Sequence, residues 1–431
     1  MSDLFAARSQ MALSLGFHIV FAEIGIAMPL LMVLAEWRWR RTNDALYLQL
    51  AKRWAKGSAV LFAVGAVSGT VLSFELGLLW PRFMELAGPI IGMPFSLEGF
   101  AFFTEAIFLG VYLYGWDRIS PRAHMVAGLI VAASGAASAV FVVMVNAWMN
   151  TPTGVLLSAG RITQIDPIAG MFNPSTVQQA VHMLLASYAA TGLAVAGLHA
   201  GILFRRPGLA SFHRHALMLA LVVGAPAAML QPLSGDLSAR TVARWQPIKL
   251  AALEGQFETM RGAPLRIGGW PDADAGRTRF SLEIPRGLSL LAFHDPSAEV
   301  MGLNAFKRDL WPPIPPVHVG FQIMVALGTA MALVSAWVAI VVARKRDVAE
   351  QRWLLLALAV ATPFGFIATE AGWTVTEVGR QPWVVQGILR TADAVTPMPG
   401  LVVPMLLFAL LYLGLGAIVA TLMTSIVRET T

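Results

Sequence analysis

The sequence predicts an all-α integral membrane protein of nine transmembrane helices, and three observations carry that expectation. Hydrophobic residues make up 57% of the 431-residue chain and charged residues 13%, against about 45–50% and about 25% in an average soluble domain. Nine apolar runs reach the roughly 20 residues that a helix needs to cross a hydrocarbon core of about 30 Å. Lys and Arg alternate between the connecting loops in the way that orients a polytopic chain. A free-standing soluble enzyme is excluded. The absence of Cys also removes disulfides, thiolate metal sites and thiol nucleophiles, so any metal or haem must be held by His, Met or carboxylate.

In chain order the runs lie at about 13–35, 57–79, 97–116, 125–147, 181–204, 216–233, 317–343, 353–372 and 401–427. The first carries His18 and Glu23 and reads as a retained span rather than a cleaved leader. Sixteen Lys or Arg fall in one set of loops and the tail, and only five in the short segments of the other set. That excess predicts an outside N-terminus and a cytoplasmic C-terminus. The net charge of +6 belongs to these loops and gives no reason to expect nucleic acid.

The chain thus divides into helices one to six (1–233), a loop (234–316) and helices seven to nine (317–431). The loop has 19 charged residues in 83, the density of a soluble domain. Its Gly, Pro and Asp content predicts irregular structure with one short helix near 247–259, on the outer side. No internal repeat is visible.

Ionisable residues inside a span are costly and mark function by default. His18, Glu98, Glu105, His182 and Met324 fall early in spans that start outside, and Glu75, Glu370 and Glu377 late in spans that end there. All are therefore expected in the outer half, the convergence that a buried cofactor requires. His182 and Met324 suit the two axial positions of a low-spin haem, and His18 can hold a second iron. Glu98 and Glu105 are two helical turns apart on one face, as on a proton ladder. Lys249 and Glu254 are about 140° apart on a helix, too far round to pair, and can serve a quinol as donor and base. Glu377 closes span eight with Trp373, which can stack on a macrocycle, and Arg380, which can pair with a propionate. Taken singly, each has a bland reading: a hydrogen-bonded packing His, a core Met, a packing carboxylate, a solvated amphipathic helix, an interfacial Trp and Arg belt. His124, His199, His213 and His215 read as structural or solvated.

In order along the chain come Gly16-Phe17-His18, Leu97-Glu98-Gly99 with Phe103-Thr104-Glu105, Gly115-Trp116-Asp117-Arg118 and Asn146-Ala147-Trp148-Met149-Asn150-Thr151-Pro152. Val181-His182, Lys249-Leu250-Ala251-Ala252-Leu253-Glu254, Phe321-Gln322-Ile323-Met324-Val325, Gly372-Trp373 and Gly379-Arg380-Gln381-Pro382-Trp383 follow. At these residues the sequence resembles subunit I of the cytochrome bd quinol oxidases, and its short outer loop is similar to that of the short-loop, cyanide-insensitive branch.

The resemblance implies a quinol:oxygen oxidoreductase of the bacterial inner membrane. Ubiquinol or menaquinol would be oxidised at a periplasmic loop, and O2 reduced to water with cytoplasmic protons, building a proton motive force without pumping. It implies haem b558 on His182 and Met324, with haem b595 and haem d, or a b-type haem in place of d, on His18 and Glu377 in an order left open. Glu98 and Glu105 would serve the oxygen-reducing site and its proton supply, Trp373 would stand between haems, and Lys249 and Glu254 would bind quinol. Ser134 and Ser138 would line the proton path, although small-residue packing also explains them. The implied partners are a second membrane subunit, subunit II, and a small single-span subunit, within the lipid bilayer. Two departures stand out: Gln322 occupies a position where many members carry Arg, and Glu75 is offset by two from an acidic position of the long-loop branch.

Two rivals make different demands. A haem-free secondary transporter wants broken helices at mid-membrane and usually a repeat. An electron-transfer cytochrome b without oxygen chemistry wants paired His ligands, where only His182 with a Met is on offer.

Overall fold

The computed structural model describes residues 2–158, 161–206 and 210–428; residues 429–431 of the segment expected at 317–431 lie outside them, as does Met1. Among the described residues nine helical spans are long and apolar enough to cross a membrane, as the sequence predicts. The spans overrun their apolar runs. Helix α1 (Asp3–Thr42) has 40 residues, about 60 Å at 1.5 Å per residue, because its ends are capped beyond the apolar stretch. The Ser2 side chain accepts from Phe5 N–H at one end, and Asn43, in the left-handed region, closes the other behind Arg40 and Arg41, whose charge suits a helix C-terminus. Asp44 then caps α2 (Ala45–Leu79). Helix α3 (Pro81–Tyr114) starts on a Pro at its first position, and Ser120 with Pro121 starts α4 (Pro121–Asn150), both favoured openings.

A hairpin of β1 (Val155–Ser158) and β2 (Arg161–Ile165), with the short α5 (Pro167–Met171), leads to α6 (Thr176–Arg205). Helix α7 (Ala210–Trp245) runs twelve residues past the predicted end of span six. It survives there because Ser234 and Ser238 turn their hydroxyls back onto the carbonyls of Gln231 and Ser234, so their polarity is absorbed within the helix.

The loop that follows is more ordered than expected. Helix α8 (Pro247–Leu253) ends where Gly255 takes φ +59°, which Gly adopts without strain. The structure adds α9 (Gly287–Phe293) and three antiparallel pairs: β3 (Met260–Arg261) with β8 (Glu299–Val300), β4 (Leu265–Ile267) with β7 (Leu282–Ile284), and β5 (Trp270–Asp272) with β6 (Arg277–Arg279). Helix α10 (Ile314–Ala343) is span seven. Span eight is broken at Pro363 into α11 (Arg352–Val360) and α12 (Phe364–Val378), since proline removes a donor and clashes with the preceding turn. A β9 (Trp383–Val385) and β10 (Leu389–Arg390) hairpin and α13 (Thr391–Ala394) lead to α14 (Val402–Arg428).

Neighbouring helices pair as α1 with α2, α3 with α4, α6 with α7 and α10 with α12, while α14 rests on α1 and α2. Small residues set the closest approach: a Cβ on Gly192 would stand 2.5 Å from Gly224 Cα, so α6 and α7 touch backbone to backbone. Helices α6, α7, α10 and α12 enclose one side-chain cluster, and α1, α2 and α12 another, both towards the end of the bundle that carries the loop.

Candidate functional site

His182, on α6, has Nδ1 2.8 Å from Ser234 Oγ on α7. The Ser234 hydroxyl is already donated to Gln231 O, so it accepts from the ring and leaves the lone pair on Nε2. That lone pair faces the Gln231 amide at 3.2 Å. Met324, on α10, lies against α12 at Gly372, where a Cβ would stand 3.1 Å from its Sδ; a larger residue at 372 would displace the thioether. Trp373, half-buried, follows directly.

One turn further on, Glu377 closes α12 in a buried polar cluster. Its carboxylate accepts from Asn146 Nδ2 of α4 and from Arg380 Nη2 at 2.5 Å. Arg380 is only 2% exposed, yet its Nε and Nη1 have no partner. Buried guanidinium N–H groups are rarely left open, so two nitrogens carrying three of them call for an anionic ligand. Lys249 of α8 enters the same cluster, donating to Asn150 Oδ1 at 2.9 Å and Thr376 O at 3.1 Å. It passes over Gly379, where a Cβ would meet Lys249 Cε at 2.9 Å. Burial first, and then the Arg380 charge, push its pKa down to about 7. Glu254 lies one residue beyond α8; burial pushes its pKa up to about 8 against the pull of Arg266, and its Oε2 is unpartnered. Lys249 is thus bonded within the cluster, not to Glu254, in line with their angular separation.

His18, on α1, has Nδ1 2.9 Å from Ser68 Oγ of α2, and Ser68 donates to backbone carbonyls of its own helix. A Cβ on Gly69 would stand 3.0 Å from His18 Cε1, and one on Gly16 would stand 3.2 Å from Glu370 Oε2. Two glycines therefore make room for an imidazole and a carboxylate between α1, α2 and α12. Glu23 is 4% exposed with neither carboxylate oxygen partnered, and Glu370 Oε1 is also unpartnered. Glu75 accepts from Gln10 and Ser14 of α1, each at 2.9 Å.

Glu98 and Glu105 share the face of α3 that meets α4: Ser138 Oγ donates to Glu98 at 3.3 Å, and a Cβ on Gly135 would stand 3.2 Å from the Glu105 carboxylate. Their depth differs from the expectation of an outer-half position. Because α3 starts at Pro81, Glu98 lies at its middle and Glu105 beyond it, in a small cavity with Pro29, Ser58 and Phe62. The pair therefore leads from the His18 level towards the opposite end of the bundle. Of the histidines expected to be structural or solvated, His124 and His213 are buried within helices, the latter with Nδ1 2.8 Å from His199 Nδ1.

The sequence placed Asn146 and Asn150 in a motif but gave them no role; they are the partners of Glu377 and Lys249, and two Asn one turn apart at the end of an apolar span were the available signal. It gave Glu23 no role, although an acid eleven residues into a 23-residue run is itself a signal.

Single imidazoles, a thioether and an acid, each on a different helix, suit a macrocycle that brings its own equatorial donors. Among the described residues no three His, Asp or Glu converge to hold a bare metal. A family model described as cytochrome bd terminal oxidase subunit I matches residues 6–431. The chain belongs to that family. It is 41% identical over 425 residues to a putative cytochrome bd menaquinol oxidase subunit I of Bacillus subtilis (strain 168), covering 97% of this chain and 95% of the relative. To a cytochrome bd ubiquinol oxidase subunit 1 of the same organism it is 31% identical over 437 residues, covering 98% and 93%. The bd oxidase structure from Geobacillus thermodenitrificans superposes with a TM-score of 0.93 at 39% identity, covering 100% of this chain and 99% of that one. This cytochrome bd subunit is accordingly part of a membrane-bound terminal oxidase, an oxidoreductase of electron transport that works with haem.

Proposed function

We propose that the chain is the haem-carrying subunit of an electrogenic quinol:oxygen oxidase, of the short-loop branch, with the loop end periplasmic and the C-terminus cytoplasmic in a bacterial inner membrane. The observation that carries this reading is the buried Arg380, with its Nε and Nη1 unpartnered, beside Glu377, Trp373 and Lys249. Bound haem (b558, b595 and d, or a b-type haem in place of d) supplies the electron relay and the reduction of O2. His182 and Met324 would hold the low-spin group, and His18 and Glu377 the two high-spin ones. Each His has its Nδ1 fixed by a serine, which orients the ring and leaves Nε2 for iron. Glu377 spends one lone pair on Asn146 and one on Arg380, and a carboxylate has about four. Arg380 would neutralise a propionate, and Trp373 would pack against the macrocycle.

The chain's own groups handle the protons. Glu254 takes the proton of one quinol hydroxyl and Lys249 donates a hydrogen bond to the other oxygen; as the two electrons leave, both quinol protons depart to the loop side. Glu105 and Glu98, with Ser138 and Ser134 on α4, form a carboxylate and hydroxyl line that would deliver protons from the opposite end. Oxidising quinol on one side and drawing protons from the other separates charge without a pump. Subunit II, and a small single-span subunit, would cover exposed apolar faces such as that of Phe100, Phe103 and Ile107 on α3. Oxygen uptake by the purified complex with ubiquinol and menaquinol analogues tests the reading; activity that survives His18→Ala or Glu377→Ala contradicts the assignment.

A further inference from the structure

The helix that carries Met324 also grips the loop. His318, fully buried six residues before Met324, has Nδ1 2.7 Å from Leu253 O and Nε2 3.1 Å from Gly268 O. Carbonyls only accept, so the ring donates both bonds when doubly protonated and one when neutral. Gln322, four residues on and therefore on the same face, accepts from Gly268 N–H at 2.9 Å and donates to Arg266 O at 3.1 Å. One face of α10 thus holds Gly268 at both its N–H and its C=O, and holds the last residue of α8.

Glu254 follows Leu253 directly, and its Oε2 has no partner. Its aim is therefore set largely by its backbone, which leaves α8 and turns at Gly255. Thr278 donates to Gly255 O at 2.8 Å, so the β5–β6 hairpin braces the same turn. We propose that His318 and Gln322 form a peg that fixes the carboxylate of Glu254, and with it the bound quinol, relative to the haem-bearing part of α10. They are positioning residues for quinol oxidation. The inference rests on the proposed function and gives Gln322 a role of its own: it ties loop backbone through an acceptor and a donor, which Arg could not do because it has no acceptor.

The test uses the whole complex with His318→Gln and Gln322→Ala. Hydrogen–deuterium exchange over 253–268 is expected to rise about tenfold in each, as the loss of one or two hydrogen bonds allows. The KM for decylubiquinol is expected to rise about tenfold, while turnover driven by ascorbate through a phenylenediamine mediator, and the low-spin haem spectrum, stay unchanged. If His318→Gln fails to assemble, Gln322→Ala decides alone. Unchanged exchange and KM overturn the peg, as does a mediator-driven rate that falls in step with quinol turnover. Should the unaltered complex not oxidise quinol at all, the functional reading fails, and the exchange measurement still decides whether the peg exists.

Discussion

Two buried charge clusters, at opposite ends of the bundle, are built on opposite principles. Near the basic end, His124 places Nδ1 2.9 and 3.0 Å from the two oxygens of Glu36 and Nε2 2.9 Å from Tyr112 O. Arg40 binds the same carboxylate through Nε at 2.8 Å and Nη2 at 2.5 Å, and the imidazole is flanked by the Tyr112 and Trp116 rings. None of these polar groups is left open. At the loop end, Arg380, Glu254 and Glu370 keep unpartnered atoms in buried positions. A network that is complete in itself locks helices together; one that leaves two buried guanidinium nitrogens unpartnered has the donors to bind an anionic group.

Breaking the open end should produce the largest effect. Removing the His182 side chain should abolish the low-spin haem signal and lower oxidase activity by more than the roughly 10–100-fold that loss of an outer-shell partner costs, measured by visible spectroscopy and oxygen uptake. In the closed cluster, His124→Ala should destabilise the chain by about 1–3 kcal/mol, because it leaves Glu36 Oε2 and Tyr112 O without their imidazole partner while Arg40 still holds Oε1. The surviving protein should keep its spectrum and its KM for quinol, which thermal unfolding and kinetics together can establish.

The pair on the loop sharpens the contrast through pH. Glu254 is protonated below about 8 and ionised above it, and Lys249 is charged below about 7 and neutral above it. If ionised Glu254 is the base and the Lys249 amine, which keeps N–H donors when neutral, still serves the other oxygen, kcat/KM for quinol rises with pH towards a plateau above about 8, and Glu254→Gln lowers it by about 100-fold and flattens the rise. A profile that falls over the same range would assign the base elsewhere. The smallest effect belongs to Ser234→Ala, which removes one hydrogen bond from His182. Redox titration should show a shifted low-spin midpoint worth about 1 kcal/mol, with haem content preserved.

The spans were legible because apolar length alone decides what crosses a bilayer. Their ends were not, since caps such as Ser2 and Asp44, and the back-bonded Ser234 and Ser238, extend helices through polar sequence. The same error misplaced Glu105: counting from the apolar run rather than from Pro81 put it too near the outer surface. His18 and His182 stood out as candidates because a polar group in an apolar run is costly, Glu377 because it closes a span beside Trp373 and Arg380, and Met324, ordinary in such a run, only as a partner for His182. Asn146 and Asn150 escaped because amides at a span's end look like ordinary boundary residues, and only the fold brings them to Glu377 and Lys249. The loop's strand pairs, two or three residues long, carry too little periodicity to read.

The most direct test of the central claim is the dithionite-reduced minus oxidised visible spectrum of the purified complex, taken for the unaltered protein and for Met324→Leu. The expected result is a low-spin b band together with high-spin haem bands, with the low-spin band alone lost or displaced in the variant. A complex without haem absorption, or a low-spin band indifferent to Met324, would contradict the account.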